Sequence, residues 1–449
     1  MSSEWNQVTI KEVTSVLGDG LHGTPAYDPN GDYFFINGNN LSNGKIVFSN
    51  TTKRLSSDES KKHKKKLTDR TILVSINGTL GNVAFFAGEK VVLGKSACYL
   101  NVLESVDKHF IRYVLDSDIF QGYIQNLASG STIKNVSLKL MRDFQFGLPS
   151  IDLQKRISGI LKCLDDRITL LRETNATLEA IAQALFKSWF VDFDPVRAKL
   201  ARRSREGGNP EAGGACDALD PRLRGNDGTG MDEATAALFP DGFEESELGL
   251  VPRGWRVGAV GDFARQHKGS INPLKNPEIL FEHFSLPAFD KQQMPVLELG
   301  TEIKSNKTSV PADALLLSKL NPHIPRVWLP VDAGRYAVSS TEFLVFVPIN
   351  GASKEFIFCA FTTDKFKQLL CQLVTGTSNS HQRVKPDGVS AMGAVIPTQG
   401  VLKAFGVLVK PIFSRIGHNR GEAQTLATLR DTLLPRLISG QLRLPCRSG

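Results

Sequence analysis

The most regular pattern in the chain is a series of mainly apolar positions separated by alternating steps of four and three residues. It begins at Ile157 and continues to Trp189. Residues at this spacing line one side of a helix and become buried when two helices coil around each other. The pattern therefore predicts a long helix over residues 150–198 within a coiled coil. Its pairing positions are Ile157, Leu161, Leu164, Ile168, Leu171, Asn175, Leu178 and Leu185.

A second helix with a looser version of this seam is predicted over residues 398–445. Its pairing positions are Ile412, Ile416, Leu426 and Leu433. If Ile157 occupies a d position, Asn175 falls at an a position, where a buried Asn lowers stability but fixes register and partner choice. The alternative is that both helices are amphipathic and pack only on their own domains.

The two helices close two copies of one module. Trp5 and Trp255 stand 250 residues apart, and Pro149 and Pro397, each just before a helical stretch, stand 248 apart. A recurrence at a nearly constant offset indicates an internal duplication.

The part of each copy before the helix is rich in strand signals. Residues 71–76 and 342–347 are short runs of β-branched and other apolar residues. Residues 1–149 and 250–397 are each predicted to form one mixed α/β domain. Between the copies, residues 199–249 are predicted to be a linker. Its stretch at about 200–230, dense in Gly, Arg, Asp and Pro, is predicted to be a flexible insertion, with nucleic-acid contact by its arginines as the alternative.

Composition and charge exclude more functions than they indicate. Lys and Arg number 54 against 46 Asp and Glu, a surplus that permits a nucleic-acid partner without requiring one. The six cysteines form no C-x-x-C pair, so no metal site is predicted. There is no G-x-S-x-G or H-E-x-x-H motif and no self-contained active site. With no secretory signal and no membrane-spanning run, we expect a cytoplasmic protein.

Several segments resemble one protein family along nearly the whole chain. The most specific is residues 178–196, LEAIAQALFKSWFVDFDPV, which is similar to the central conserved region of the specificity subunits of type I restriction–modification enzymes. Residues 238–255 resemble the segment that leads into the second target-recognition domain of these subunits. Residues 78–84, 318–322 and 380–386 resemble segments within or at the end of the recognition domains. The insertion at about 200–230 departs from the family pattern and puts the linker geometry in doubt, not the function.

The resemblance implies a fold and a function. The fold is α+β, with two target-recognition domains in tandem, each followed by a long helix, and the two helices pair as an antiparallel coiled coil. Each domain would read one half of a bipartite, asymmetric DNA sequence, and the helices would set the gap between the halves. The chain would be non-catalytic and would direct two modification subunits and the restriction subunits. It would hold no cofactor, because S-adenosylmethionine, ATP and Mg²⁺ belong to those partners.

Candidate DNA-binding residues combine cations for phosphates with donors for base edges. Residues 1–150 carry 17 Lys and Arg against 14 Asp and Glu, and residues 250–398 carry 16 against 12, so both domains are mildly basic. The candidates are Lys64, Lys65, Gly78, Thr79, Gly81, Asn82, Ser131, Thr132, Lys134, Asn135, Ser318, Lys319, Asn321, Arg326, Ser378, Ser380, His381, Gln382, Arg383 and Lys385. Small residues at 78–82 would let backbone amides approach a phosphate. For each group the alternative is structural: a solvated lysine loop, a plain β-turn, polar groups that pack a loop, or stacking of Arg326 on Trp328.

Two other functions remain open from sequence. One is a stand-alone DNA methyltransferase or nuclease with an unrecognised site. The other is a coiled-coil assembly scaffold that has lost recognition.

Overall fold

The structure is a computed structural model that describes residues 5–130, 134–206, 231–375 and 382–444. These residues fall into two units. The first contains the chain up to Leu170 together with the chain from Glu422 onward, and the second contains Leu171–Gly421. Both long helices therefore contribute one part to each unit.

The first unit begins with a mixed α/β domain. Its elements are β1 (Asn6–Thr9), β2 (Thr14–Asp19), β3 (Tyr33–Ile36), β4 (Leu41–Ser42), β5 (Lys45–Ile46), β6 (Arg54–Leu55), α1 (Ser57–Lys62), β7 (Thr71–Ser75), β8 (Val83–Phe85), β9 (Val91–Leu93), β10 (Ala97–Val102), α2 (Lys108–Asp116), α3 (Asp118–Leu127), α4 (Leu138–Asp143) and β11 (Gln145–Leu148). The main sheet is antiparallel in the order β2-β10-β7-β8, a smaller sheet has the order β6-β3-β9, and β1 pairs with β11. Every residue of β7 and β10 is buried. Both faces of the sheet centre are therefore covered, which explains the continuous apolar run that predicted a strand at 71–76.

The helix α5 (Ile151–Phe190) follows this domain, and the second unit continues from it. The elements of the second unit are α6 (Asp194–Glu206), α7 (Glu233–Ala237), β12 (Phe243–Ser246), β13 (Gly249–Pro252), β14 (Arg256–Ala259), β15 (Ala264–His267), β16 (Ser270–Ile271), β17 (Leu280–Phe284), α8 (Leu286–Gln292), β18 (Val296–Leu299), β19 (Lys307–Ser309), β20 (Leu315–Ser318), β21 (Val327–Trp328), β22 (Ala337–Ser339), β23 (Phe343–Pro348), α9 (Lys354–Phe361), α10 (Asp364–Gln372), β24 (Val374–Thr375), β25 (Arg383–Val384), α11 (Pro386–Ser390) and β26 (Gly393–Ile396). The helix α12 (Gln399–Ile438) closes the chain. The main sheet has the order β15-β23-β20-β21, a second sheet has the order β16-β19-β22-β17-β18, and β14 pairs with β26.

The two domains share one topology. The order β2-β10-β7-β8 of the first main sheet matches the order β15-β23-β20-β21 of the second, and the pair β1–β11 matches β14–β26. The helices after the central strand also match: Asp107 caps the N-terminus of α2, and Ser353, 246 residues later, caps α9. The long helices α5 and α12 have 40 residues each, and their first residues stand 248 apart. The internal duplication is thus visible in the fold.

The two long helices meet within each unit, and they run in opposite directions. In the first unit Ile157 and Leu161, early in α5, share a core with Leu434 and Leu437, late in α12. In the second unit the ring of Phe186, late in α5, lies 5.9 Å from the ring of Phe405, early in α12. Early residues of α5 therefore contact late residues of α12, and late residues of α5 contact early residues of α12.

The end of the first helix differs from the sequence prediction. A single helix over 150–198 was expected, but α5 ends at Phe190 and α6 begins at Asp194. The break coincides with Phe193, whose φ of 56° is incompatible with a right-handed helix. Pro195 then occupies an early position of α6, where a missing amide hydrogen costs little.

The predicted flexible insertion at about 200–230 is helical at its start. The helix α6 continues to Glu206, and residues 207–230 lie outside the described residues. The helix is anchored by Val196, which is fully buried, and by the ammonium group of Lys199, which donates to the carbonyl of Phe239. The second helix was predicted over 398–445 and ends earlier, at Ile438, shortly before Gly440 with a φ of 73°.

The described residues contain no helix whose length and hydropathy would suit it to crossing a lipid bilayer.

Candidate nucleic-acid interface and helix seam

The turn between β7 and β8 contains the first group of candidate residues. Gly78 and Gly81 have φ values of 76° and 82°, which explains the choice of glycine at both positions. The amide of Gly78 donates to the carbonyl of Lys134, that of Gly81 to the carbonyl of Ser75, and that of Asn82 to the hydroxyl of Ser75. These three amides already donate within the domain and are not free to approach a phosphate, whereas a phosphate contact by the rest of the turn stays a prediction. The exposed Thr79 side chain remains a candidate.

The segment before the first long helix packs beside this turn. Asn77 donates from its carboxamide to the carboxamide oxygen of Asn135 at 3.2 Å, and the amide of Val136 donates to Ile76. The Lys134 ammonium group reaches Gln125 at 3.4 Å and stays exposed. Lys134 and Asn135 are thus brought together with the turn at 77–82. Ser131 and Thr132 lie outside the described residues.

The basic run at 61–66 divides into paired and unpaired lysines. Lys61 and Lys62 end α1 and form ion pairs with Asp58 and Glu59 one turn earlier. The side chains of Lys64 and Lys65 form no ion pair or hydrogen bond with any other described residue. They line a cavity of about 270 Å³ together with Tyr33, His63 and Glu89. Two cations of the run therefore remain available for an anion.

The equivalent turn of the second domain follows β20. The hydroxyl of Ser318 accepts from the amide of Leu320 at 3.2 Å, and the amide of Asn321 donates to the carbonyl of Gln382 at 2.9 Å. The amide of Val384 donates to the carbonyl of Lys319. This turn therefore meets the segment before α11, as the turn at 77–82 meets the segment before α4. Ser378, Ser380 and His381 lie outside the described residues.

Asn321 has an unusual local geometry within this turn. Its φ is 51°, and its side-chain oxygen is buried without a hydrogen-bond partner among the described residues. Both features carry a free-energy cost for a non-glycine residue. Neither was apparent from the sequence, where Asn321 was chosen only as an amide donor.

Two candidate arginines are already engaged. The guanidinium of Arg326 binds both carboxylate oxygens of Asp290, at 2.7 and 2.9 Å. The guanidinium of Arg383 binds Glu342 in the same bidentate way, at 3.2 and 2.9 Å. Arg326 does not stack on Trp328 in the described structure, as the alternative had it, because Trp328 is buried in the core. Lys385, at the N-terminus of α11, is exposed.

The seam of α5 is buried largely where the periodicity predicted it. Ile157, Leu161, Ile168 and Leu171 are buried, and Leu164, Asn175, Leu178 and Leu185 are half-buried. Near its end the buried residue is Phe186 instead of Leu185, because the helix there packs on aromatic rings from α9 and α12.

The seam of α12 lies one residue further along than predicted at three of four positions. Ile416 is buried as expected, but Ile412, Leu426 and Leu433 are half-buried. The buried positions beside them are Phe413, Ala427 and Leu434.

Asn175 meets its counterpart on the other helix. Its side-chain oxygen accepts from Asn419 at 2.8 Å, and its side-chain nitrogen donates to the carbonyl of Ile416 at 3.2 Å. Asn419 is only 1% exposed. The two carboxamides therefore satisfy each other within an otherwise apolar seam. The sequence did not mark Asn419 as its partner.

A charged cluster in the first unit was missed entirely. The carboxylate of Asp165 on α5 accepts from Arg430 on α12 at 2.8 Å, from Arg112 on α2 at 2.5 Å and from the Tyr113 hydroxyl at 2.8 Å. Arg112 also pairs with Asp116 at 2.7 Å. One carboxylate thus joins the first α/β domain and both long helices.

The cluster shifts the acidity of its members. Burial acts to raise the pKa of Asp165, but Arg112, Arg430 and Tyr113 outweigh it, so the pKa lies below its ordinary value. Burial raises the pKa of Asp116 from 3.8 to about 6, although Arg112 opposes the rise. Asp165 is therefore the stable anion of the cluster.

Two half-buried groups of opposite charge lie near each other in the second unit. Burial raises the pKa of Glu179 on α5, and the nearby Arg420 on α12 opposes the rise. The described residues contain no group of three or more His, Cys, Asp or Glu side chains that could hold a metal ion.

Comparison with known proteins gives a consistent picture. Residues 2–180 match the model of the type I restriction modification DNA specificity domain. The chain is 22% identical to the type I restriction enzyme MjaIX specificity subunit of Methanocaldococcus jannaschii over 98% of this chain and 94% of the relative. It is 27% identical to the HindI specificity subunit of Haemophilus influenzae over 74% of this chain and 77% of the relative.

One solved structure supports the fold. The type I restriction–modification S subunit from M. genitalium aligns over 98% of this chain and 97% of its own, with a TM-score of 0.53 and 15% identity. The chain therefore has the fold of that S subunit. Over residues 2–180 the chain thus matches the DNA specificity domain of type I restriction–modification systems, and over most of its length it is similar to type I specificity subunits.

Proposed function

We propose that this chain binds a bipartite, asymmetric DNA sequence and reads one half of it with each domain. The repetition of one domain fold carries the proposal. In the first domain the turn after β7 is hydrogen-bonded to the segment before α4, and in the second domain the turn after β20 is hydrogen-bonded to the segment before α11. Two copies of one reader with different loop residues would bind two different half-sequences. Both copies carry a small surplus of cations, as binding to a polyanion requires.

The available side chains divide into phosphate and base contacts. Lys64 and Lys65 are suited to the phosphate backbone, because their ammonium groups have no carboxylate partner among the described residues. Thr79, Asn135 and Gln382 carry donors and acceptors suited to base edges. Arg326 and Arg383 act instead on the loops, since each is held by a carboxylate of its own domain.

The long helices act as a spacer in this proposal. They pair as an antiparallel coiled coil along α5 and α12, and the register of that pairing sets the number of unread base pairs between the half-sequences. The seam residues from Ile157 to Phe186 and from Phe405 to Leu437 support this role.

The chemistry is assigned to partner subunits. The chain binds two modification subunits and the restriction subunits in the cytoplasm, where the DNA is. It holds no cofactor itself, and the partners use S-adenosylmethionine, ATP and Mg²⁺. This division agrees with the lack of a complete catalytic motif in the sequence.

The deciding experiment is methylome sequencing of a host that carries this chain with its modification subunit. A methylated sequence of two fixed halves around a fixed gap supports the proposal. A complex that assembles but methylates nothing would support a scaffold. Methylation or cleavage by the purified chain alone, with Mg²⁺ and S-adenosylmethionine, would show an enzyme instead.

Loop variants test the assignment of one domain to each half. Asn135→Ala should relax or abolish one half of the motif, and Gln382→Ala should affect only the other half. Lys61→Ala is the matched control, because that lysine is paired with Asp58 and exposed. Loss of both halves in either loop variant would contradict the assignment.

A further inference from the structure

The polar contacts between α5 and α12 lie at positions where the two copies of the module differ. At the offset of 248 residues, Asp165 corresponds to Phe413, and Arg430 corresponds to Ala182. The offset is that of the helices themselves, which begin at residues 151 and 399. The charged pair of the first unit is therefore matched by an aromatic residue and an alanine in the second.

The contacts of Phe413 confirm that the positions are equivalent. The helix α9 matches α2 at an offset of 246, so Phe358 corresponds to Arg112. The rings of Phe358 and Phe413 lie 5.2 Å apart and nearly perpendicular. Arg112 likewise reaches Asp165 at 2.5 Å. The same contact between domain and helix is ionic in one unit and aromatic in the other.

The two asparagines differ from their counterparts in the same way. Asn175 corresponds to Ala423, and Asn419 corresponds to Leu171. Their mutual hydrogen bond therefore exists once, and its counterpart positions carry only apolar groups. If the helices were equivalent, the contact would occur twice.

An antiparallel pair of similar helices offers each helix two possible partners. The α5 helix can pair with α12 of its own chain or with α5 of a second copy, because the repeated backbone has the same shape. In a pair of two α12 helices, Arg430 would face Phe413 of the second copy and lose Asp165. Asn419 would face Ala423 and lose Asn175. Asn419, which is only 1% exposed, would then be buried without its partner, and Arg430 would keep only Asp431 of its own helix.

We propose that Arg430, Asn175 and Asn419 select pairing between α5 and α12 of one chain and disfavour pairing between two copies of the same helix. The apolar seam is shared by both arrangements and cannot distinguish them. The polar positions distinguish them because Asn175 and Asn419 bind each other across the two helices, and Arg430 finds the buried-side acid Asp165 only on α5, with the exposed Asp431 as its other acid. The chain thereby stays monomeric, with its own two helices paired. This inference rests on the helix contacts and holds whether or not the DNA proposal is correct.

The test converts these positions to their repeat counterparts in the full chain. The variant is Arg430→Ala with Asn175→Ala and Asn419→Leu. Asp165 keeps Arg112 and Tyr113 in this variant, so no carboxylate is left without a partner. Two copies with different affinity tags are co-expressed, and one tag is used to purify.

The wild-type chain should elute at its mass of 49.2 kDa without the second tag. The triple variant should give a species of twice that mass, and random pairing would place both tags on about half of it. The control removes the exposed interhelix pair Arg167–Glu422 by alanine substitution and should behave as wild type.

If the triple variant fails to fold, Arg430→Ala alone and the asparagine pair alone serve as milder variants. Each of these variants should give more of the species that carries both tags than the control does. The proposal would be overturned if the triple variant folds and forms no more of the two-tag species than the control does. It would also be overturned if both milder variants behave in this way.

Discussion

Replacement of Asp165 by alanine should lower the free energy of unfolding of the first unit by about 2 to 3 kcal/mol. The substitution leaves the guanidinium groups of Arg112 and Arg430 without their shared carboxylate. Loss of one partner from a buried pair costs about 3 to 5 kcal/mol. The expected loss is below this range because the side chains of Arg112 and Arg430 are 14% and 28% exposed. Each arginine also retains a second acid, Asp116 or Asp431.

The partner variant should be milder. Arg430→Ala leaves Asp165 with two donors, so we expect a loss of about 1 kcal/mol. In the double variant of Asp165 and Arg430, the two losses of unfolding free energy should not add, and the coupling energy between the two residues should be about 1 kcal/mol. The control is Arg167→Ala with Glu422→Ala, an exposed pair at 47% and 43%, which should cost less than about 0.5 kcal/mol.

Urea unfolding followed by circular dichroism gives the free energies. Hydrogen exchange of the amides in α2 and the first half of α5 shows whether the first unit is the part destabilised. Equal losses in the two single variants, or strictly additive losses, would refute a cluster centred on Asp165.

Three further variants test other parts of the structure. Gly81→Ala should destabilise the chain by more than the ~1 kcal/mol expected for Gly78→Ala in thermal unfolding. Both glycines have positive φ, but only at Gly81 would a new Cβ displace the carboxamide of Gln121, which donates to the carbonyls of Gly81 and Leu115. Lys64→Ala should reduce the slope of log affinity against log salt by about 0.9, whereas Lys61→Ala should leave it unchanged; equal slopes would contradict the phosphate role. Asp116→Asn should flatten the pH dependence of stability. The pKa of Asp116 is about 6 in the folded state against 3.8 in the unfolded state, so the folded state binds more protons and wild-type stability falls as pH rises between these values. An unchanged slope of stability against pH in the variant would contradict this role of Asp116.

The sequence was informative where a feature is periodic. The seam from Ile157 to Leu171 could be read because its residues repeat at heptad spacing on one helix. The cluster at Asp165 could not, because its neighbour Arg112 is 53 residues away and only the packing of α2 on α5 brings them together. On its own helix Asp165 is followed by another acid and an arginine, which is typical of a solvated face.

Loop chemistry was the least predictable part of the candidate site. Gly78 and Gly81 were correctly placed in a turn, but the sequence cannot show which acceptor each amide reaches. Arg326 and Arg383 are equally hidden, since their acids lie 36 and 41 residues away in the chain. Free cations and paired cations have the same sequence signature.

The contrast between the two units links the helix seam to the two α/β domains. In the first unit Arg112, on α2 of the domain, binds the same carboxylate that binds Arg430 on the far helix. In the second unit Phe358, on the equivalent α9, instead packs on Phe413 of α12. A slip of the helices by one residue would separate the charges at Asp165 in the first unit, whereas at the equivalent place in the second unit it would only slide aromatic rings. In the second unit the contact that such a slip would break is the hydrogen bond between Asn175 and Asn419. Each unit therefore penalises a change of register through its own polar contact between the helices.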